Sequence, residues 1–272
     1  MHLTIKQKHS NDGFVKAGEL IQIRQTAALT LHDRRVLNLL IENAGPGIAE
    51  DHDHYIAMCR LRGETHKGGE RVKDSILRLM GTIVEVPTKD RRGNPATKRL
   101  ALLASTTTTD DEDNPTGEVA YSFHKDLREI LQQSQHWGRI KAYVMFAFSS
   151  KYSLCLYEFL CLRGNLRRNT EVLTLEDLRE MLGVEAGKLP GFPQLNQKAI
   201  KPAVEEINAL SDFTVEIEPL RDGGSIRGKL KGFRVSWERK EPDAWRAVMD
   251  ELMRPKVGRR ARIRGKVEAV AL

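Results

Sequence analysis

The chain has 272 residues, 40% hydrophobic and 30% charged, with 44 Lys and Arg against 37 Asp and Glu for a formal net charge of +7. That is enough length for two domains of ordinary size. No run approaches ~18 apolar residues, so no membrane span is expected and the chain reads as soluble and cytoplasmic. Residues 254–272 hold 7 cations against 1 acid, while 1–145 carry a net +2 and 146–253 a net −1. Attraction to a polyanion such as DNA would therefore owe much to the tail, and specificity would have to come from a shaped surface. The cysteines are Cys59, Cys155 and Cys161, with no CxxC pair. Zinc-finger and thioredoxin-type sites are thereby excluded, and core thiols in a reducing cytosol are expected.

Residues 1–28 form a polar lead-in with a short strand, ELIQIRQ, at 19–25. From Thr30 a helix is predicted, capped by Thr30 with Asp33 and burying Leu31, Val36, Leu37, Leu40 and Ile41. Gly45, Pro46 and Gly47 break it. Within 48–69, HYIAMCRLRG reads either as a strand or as a short helix. A second helix is predicted over 69–82, with Val72, Ile76, Leu79 and Met80 on one side. TIVEVPTK and TKRLALLAST are two strands around the turn DRRGNPA, and TTTTDDEDNPTG (106–117) is an acidic polar loop. A strand at 119–123 leads into a helix at 125–133. Helices followed by a hairpin make a first winged helix. The join QSQHWGRIKAYVMFAF carries Trp137, Tyr143, Val144, Met145 and Phe146, so packed connecting structure is expected there.

In the second half FSSKYSLCLYEFLCLRG predicts a helix with one buried face, Leu154, Tyr157, Phe159, Leu160 and Leu162, ended by Gly164 as a C-cap. LTLEDLREMLGV predicts a helix with a Thr174–Asp177 capping box, buried through Leu175, Leu178, Met181 and Leu182 and stopped at Gly183. QLNQKAIKPAVEEINAL predicts a third helix, kinked at Pro202. It has Leu195, Ala199, Ile200, Ala203, Val204, Ile207 and Leu210 inside and Gln194, Gln197, Lys198 and Lys201 outside. FTVEIEPL and KLKGFRVSWE follow as strands around RDGGSIRG, a hairpin. Helix, helix, helix, hairpin is the order of a winged-helix domain whose third helix enters the major groove. EPDAWRAVMDELMRP then predicts a closing helix on Trp245, Val248, Met249 and Leu252.

The strings FSSKYSLCLYEFL, LTLEDLREMLGV and LNQKAIKPAVEEINALSDFTVEIEPL resemble the initiator family of iteron-containing bacterial plasmids. The resemblance covers about residues 30 to 240 and is most specific in the second half, Pro202 included. It implies an α+β fold of two tandem winged-helix domains, helices plus β-hairpin wings, pseudo-duplicated. The expected division is 1–135 for dimerisation and DNA-backbone contacts, 136–253 for sequence-specific binding, and 254–272 as a disordered basic tail. The resemblance further implies a non-enzymatic protein without cofactor or metal. Its partners would be double-stranded DNA (origin iterons and a promoter inverted repeat), a homodimer in equilibrium with monomer, and the host initiator and replicative helicase. A winged-helix transcriptional regulator without a replication role is the alternative.

Within that frame Gln194, Asn196 and Gln197 can pair bidentately with adenine, and Lys198 or Lys201 with guanine or phosphate. The bland reading of the same helix is an ordinary amphipathic one. Arg221, Arg227 and Lys229 would sit on the wing. Arg163, Arg167 and Arg168 are either backbone clamps or a solvated loop. Arg71, Lys73 and Arg78 are candidate DNA contacts of the first domain, or dimer packing. Gly223 to Lys229 nearly spells a phosphate-binding loop, but Leu230 stands where Ser or Thr is required and the flanks read strand–strand. His52, Asp53 and His54 are similar to the metal pair of rolling-circle nucleases, but the central residue is Asp instead of a hydrophobe, which favours a solvated loop.

Overall fold

A computed structural model describes residues 3–7, 13–22, 24–25, 29–62, 72–109, 116–224 and 228–266. The chain divides into two compact units, Met1–Ile140 and Lys141–Leu272.

The first unit runs β1 (Phe14–Ala17), α1 (Gly18–Ile21), β2 (Arg24–Gln25), α2 (Leu31–Ala44), β3 (His54–Ala57), α3 (Met58–Arg62), α4 (Val72–Met80), β4 (Ile83–Lys89), β5 (Pro95–Ala101), β6 (Leu103–Thr108), β7 (Glu118–Phe123), α5 (Lys125–Gln133) and β8 (Trp137–Ile140). Its sheets are small and antiparallel: β1 with β8, the order β2-β4-β5, and the order β3-β7-β6. The α2 capping box forms as the sequence predicts, with Asp33 N–H donating to Thr30 Oγ1 at 3.1 Å and Thr30 N–H to Asp33 Oδ2 at 2.9 Å. Val36, Leu40, Leu79, Val119, Phe123 and Leu127 bury completely around it. Tyr121 is buried with them, its hydroxyl donating to the Leu40 carbonyl at 2.6 Å and accepting from Asn43 Nδ2 at 3.1 Å. Burial pushes that phenol up to about 12.

Several expectations change here. Residues 19–21 are helical, and the strand at 19–25 shrinks to Arg24–Gln25. HYIAMCRLRG is both strand and helix, in succession. TKRLALLAST is two strands, because the chain changes sheets at the fully buried Leu102, whose N–H reaches Thr82 O at 3.2 Å. Thr106–Thr108 extend β6, and 110–115 of the acidic loop lie outside the described residues. Trp137–Ile140 pairs with Phe14–Ala17, so the first unit ends after Ile140, beyond the boundary expected at 135.

The second unit runs α6 (Ala142–Ala147), α7 (Lys151–Arg163), β9 (Thr170–Leu173), α8 (Leu175–Met181), α9 (Phe192–Leu195), a π turn (Asn196–Ile200), α10 (Lys201–Leu210), β10 (Phe213–Arg221), β11 (Leu230–Arg239), α11 (Pro242–Met253) and α12 (Arg259–Ile263). Every residue of α7 from Ser153 to Leu162 is buried, so this helix is enclosed all round instead of presenting one stripe. Gly164 after it has φ −62°, not the left-handed value of a C-cap. Glycine is required there by closeness, since a Cβ would stand 2.8 Å from the Phe213 ring. The sheet order is β10-β11-β9. β9, which the sequence did not reveal, sets Leu173 opposite Phe233.

The tail expectation also changes. Residues 254–266 fold back, and α12 carries Arg259 almost wholly buried. Its Nη2 donates to the carbonyls of Leu252 and Arg254, both at 3.1 Å, covering the open end of α11. Glu251 gathers Arg262 at 2.8 Å and Arg254 and Arg259 at 3.5 Å, while Arg264 pairs with Glu205 at 2.9 Å. Burial works to raise the Glu251 pKa, but the Arg262 hydrogen bond and the surrounding arginine charges hold it below the usual range. The excess charge of this stretch is thus partly consumed inside the unit. Residues 267–272 lie outside the described set.

Candidate nucleic-acid interface

Three side chains of the second unit fix how its third helix is presented. The Thr174–Asp177 box starts α8. From α8 the Arg179 guanidinium donates to the carbonyls of Lys188 and Leu189, both at 2.6 Å. That ties down the turn leading to Gly191, the N-cap of α9. Nothing in LEDLREML singles out Arg179 for this role, because its partners are backbone carbonyls that carry no sequence signature.

The helical stretch Phe192–Leu210 then lies with Leu195, Ala199, Ala203 and Ile207 completely buried. Gln194, Asn196, Gln197, Lys198 and Lys201 are all exposed. By helical spacing Gln194, Gln197, Lys198 and Lys201 share one stripe. Two amides and two cations on one wet helix face are the groups that can pair with adenine, guanine or phosphate in a major groove.

The wing is fastened to the start of this helix. The Phe192 ring packs 5.4 Å from that of Phe233 on β11. Arg221, at the end of β10, places its guanidinium 5.7 Å from the Phe192 ring and donates to Gly228 O at 2.9 Å. A Cβ on Gly228 would stand 2.2 Å from the Asp222 carbonyl oxygen, so only glycine closes the hairpin there. Lys229 is exposed beside it, and Arg227 lies outside the described residues. Gly223 to Lys229 joins two strands, which leaves the phosphate-loop spelling without its helix.

The remaining candidates separate by what they touch. Arg163 is held by Glu171 at 2.9 Å and over the Phe159 ring at 5.2 Å, a packing role. Arg168 reaches the same carboxylate at 3.5 Å, and Arg167 is exposed with no acidic partner among the described residues. In the first unit Arg78 forks onto the fully buried Asp33, with contacts of 2.9 Å from both Nε and Nη2. Arg78 is therefore committed to the interior end of α2. Lys73 is half-buried and engaged, and Arg71 lies outside the described residues.

The first unit has a basic surface that sequence reasoning passed over, the tip of the β4–β5 hairpin. Lys89, Arg91 and Arg92 are exposed there, without acidic partners among the described residues. Asp90 builds the tip by accepting from Arg92 N–H at 2.8 Å, Asn94 N–H at 2.9 Å and Asn94 Nδ2 at 3.0 Å. The Asn94 hydrogen bonds hold its pKa below the usual carboxylate value. The signal was present as DRRGN, a turn motif with two adjacent arginines.

His54 is a core residue of β3, with its ring 5.4 Å from Tyr121 and 4.4 Å from His52. Burial, then the neighbouring His52, lowers its pKa. Among the described residues no group of His, Cys, Asp and Glu comes together as a metal-binding set.

Comparison with known families gives two matches. The model described as "Initiator Replication protein, WH1" covers residues 14–161, and "Initiator Rep protein, WH2" covers 174–229. Among solved structures the chain is similar to a Pi initiator protein in complex with iteron DNA, at 16% identity and a TM-score of 0.60, over 86% of this chain and 100% of that one. A structure of RctB domains 2-3 matches at 13% identity and a TM-score of 0.41, over 85% of this chain and 87% of that one. A comparison with curated proteins finds no match.

Proposed function

The chain belongs to the plasmid initiator replication protein family and has two winged-helix domains, and from that premise we propose that it starts replication by binding direct repeats at an origin. The observation that carries the reading is the exposed stripe Gln194, Gln197, Lys198 and Lys201, presented beside a wing fastened through Arg221 and Phe192. The similar Pi initiator protein was solved with iteron DNA, which supports the same assignment of ligand. In this reading the stripe reads base edges in the major groove, while Lys229 and Arg167 contact phosphates. The tip of Lys89, Arg91 and Arg92 adds sequence-independent affinity from the first domain.

The protein then promotes origin opening and recruits the host initiator and the replicative helicase, without catalysing a reaction itself. As a dimer it occupies an inverted repeat at its promoter and represses its own gene. The reading is tested by fluorescence anisotropy on direct-repeat DNA from beside the gene against a scrambled duplex. Preference for the repeat that Lys198→Ala reduces supports it, and equal binding of both duplexes overturns it. The dimer is tested by mass as a function of concentration, and a chain monomeric throughout removes it.

A further inference from the structure

The third helix of the second domain carries completely buried residues four apart, a spacing that drifts around a regular α-helix. Leu195, Ala199, Ala203 and Ile207 are all completely buried and stand four apart throughout. With 3.6 residues per turn, each such step drifts by about 40°, so three steps would swing Ile207 roughly 120° from Leu195. The π turn Asn196–Ile200 absorbs this drift. Its closing bond runs from the Lys201 N–H to the Asn196 carbonyl, one residue further back than in an α-helix. Pro202 follows at once. It has no N–H, and in α geometry its ring would strike the carbonyl of Lys198, four residues earlier. The buried spacing accommodates the widening, and the proline is the local feature that calls for it.

The widening has a consequence on the outer face. In an unbroken α-helix Asn196 would lie angularly among Leu195, Ala199 and Ile200, on the buried side. Here it is exposed, together with Gln194, Gln197 and Lys198. We propose that Pro202 is a positioning residue for sequence recognition: by holding the π turn it brings Asn196 out to join Gln197 and Lys198 in reading bases. The amide of Asn196 supplies one donor and one acceptor, the pattern that pairs with the major-groove edge of adenine. Pro202 itself touches no DNA. This inference rests on the proposed function and adds to it which side chain is delivered and what delivers it.

The test compares wild type, Pro202→Ala, Asn196→Ala and the double variant on repeat and scrambled duplexes, with thermal melting alongside. Pro202→Ala melts no lower than wild type, because a proline leaves a helix interior. It nonetheless reduces the repeat-to-scrambled affinity ratio about tenfold, as Asn196→Ala does. Affinity for scrambled DNA and its salt slope stay unchanged, since no cation is lost. The double variant loses no more than either single one, because both remove the same contact. If wild type prefers the repeat but Pro202→Ala keeps the full ratio, or the two losses multiply to about a hundredfold, the inference is overturned while the proposed function stands. A wild type without preference for the repeat removes the proposed function first.

Discussion

The Arg221 guanidinium lies 5.7 Å from the centroid of the Phe192 ring, so the wing meets the first turn of the third helix through this contact as well as through the Phe192–Phe233 ring pair. Arg221 also closes the hairpin through Gly228 O. Its role is thus to hold the hairpin against the third helix. Arg221→Ala is expected to destabilise the second domain by about 1–2 kcal/mol, the sum of a cation–π contact and a hydrogen bond. Lys229→Ala, at an exposed position, should stay within about 0.5 kcal/mol. Urea unfolding distinguishes them, and equal stability of the two variants would remove the clamp.

Asp33 joins two tasks, completing the α2 capping box and pairing with Arg78. Breaking the pair from the buried side is expected to cost about 3 kcal/mol, the low end for a buried ion pair. The low end applies because the Arg78 side chain is itself 38% exposed. Burial acts to raise the Asp33 pKa, but hydrogen bonds from Arg78, Ser75 and Thr30 bring it below the ordinary value. A carboxyl lowered in the folded state contributes stability above its unfolded pKa and loses it as pH falls through the folded one. The gap between wild type and Asp33→Asn in urea midpoint should therefore be full at pH about 7 and narrow below pH about 4. A gap independent of pH would contradict the assignment.

Glu251 is the acceptor around which residues 254–266 fold. Glu251→Gln should lower stability by about 1–2 kcal/mol through weakened charged hydrogen bonds. It should also raise proteolytic cleavage after Lys256 and Arg260. Protection from trypsin identical to wild type would show that the fold-back does not depend on this carboxylate.

At the first wing, Arg91→Ala with Arg92→Ala should leave stability within about 0.5 kcal/mol, since both side chains are exposed. If both meet phosphates, the slope of log affinity against log salt falls by about 2. Repeat and scrambled DNA would weaken alike, because phosphate contacts carry no sequence information. A loss confined to the repeat would assign the tip to base reading instead.

Much of this architecture is visible in the chain because its signals are local. The Thr30–Asp33 and Thr174–Asp177 boxes need four residues each, and the alternation of FTVEIEPL is the pleat itself. What escaped depends on distant partners. TEVL is too short to read as β9 without β11 beside it. TKRLALLAST looks like one strand until Leu102 is seen to change sheets. The charge run after Arg254 looks solvated because Glu205 and Glu251, which bind it, precede it in the chain. Arg78 and Arg163 resemble surface cations in sequence, and only packing shows each spent on one carboxylate. The exposed amides and lysines of the third helix were legible, since amphipathicity alone places them outside. Their π turn is foreshadowed by Pro202, which an unbroken α-helix does not accommodate.

The central claim is that residues 192–201 read DNA sequence. Its most direct test is anisotropy on direct-repeat and scrambled duplexes across a salt series, for wild type and Lys198→Ala. Wild type should prefer the repeat, and Lys198→Ala should lose about 1–3 kcal/mol of that preference while remaining folded. If wild type binds both duplexes equally, or Lys198→Ala keeps the full preference, the exposed stripe on this helix is not the reading surface.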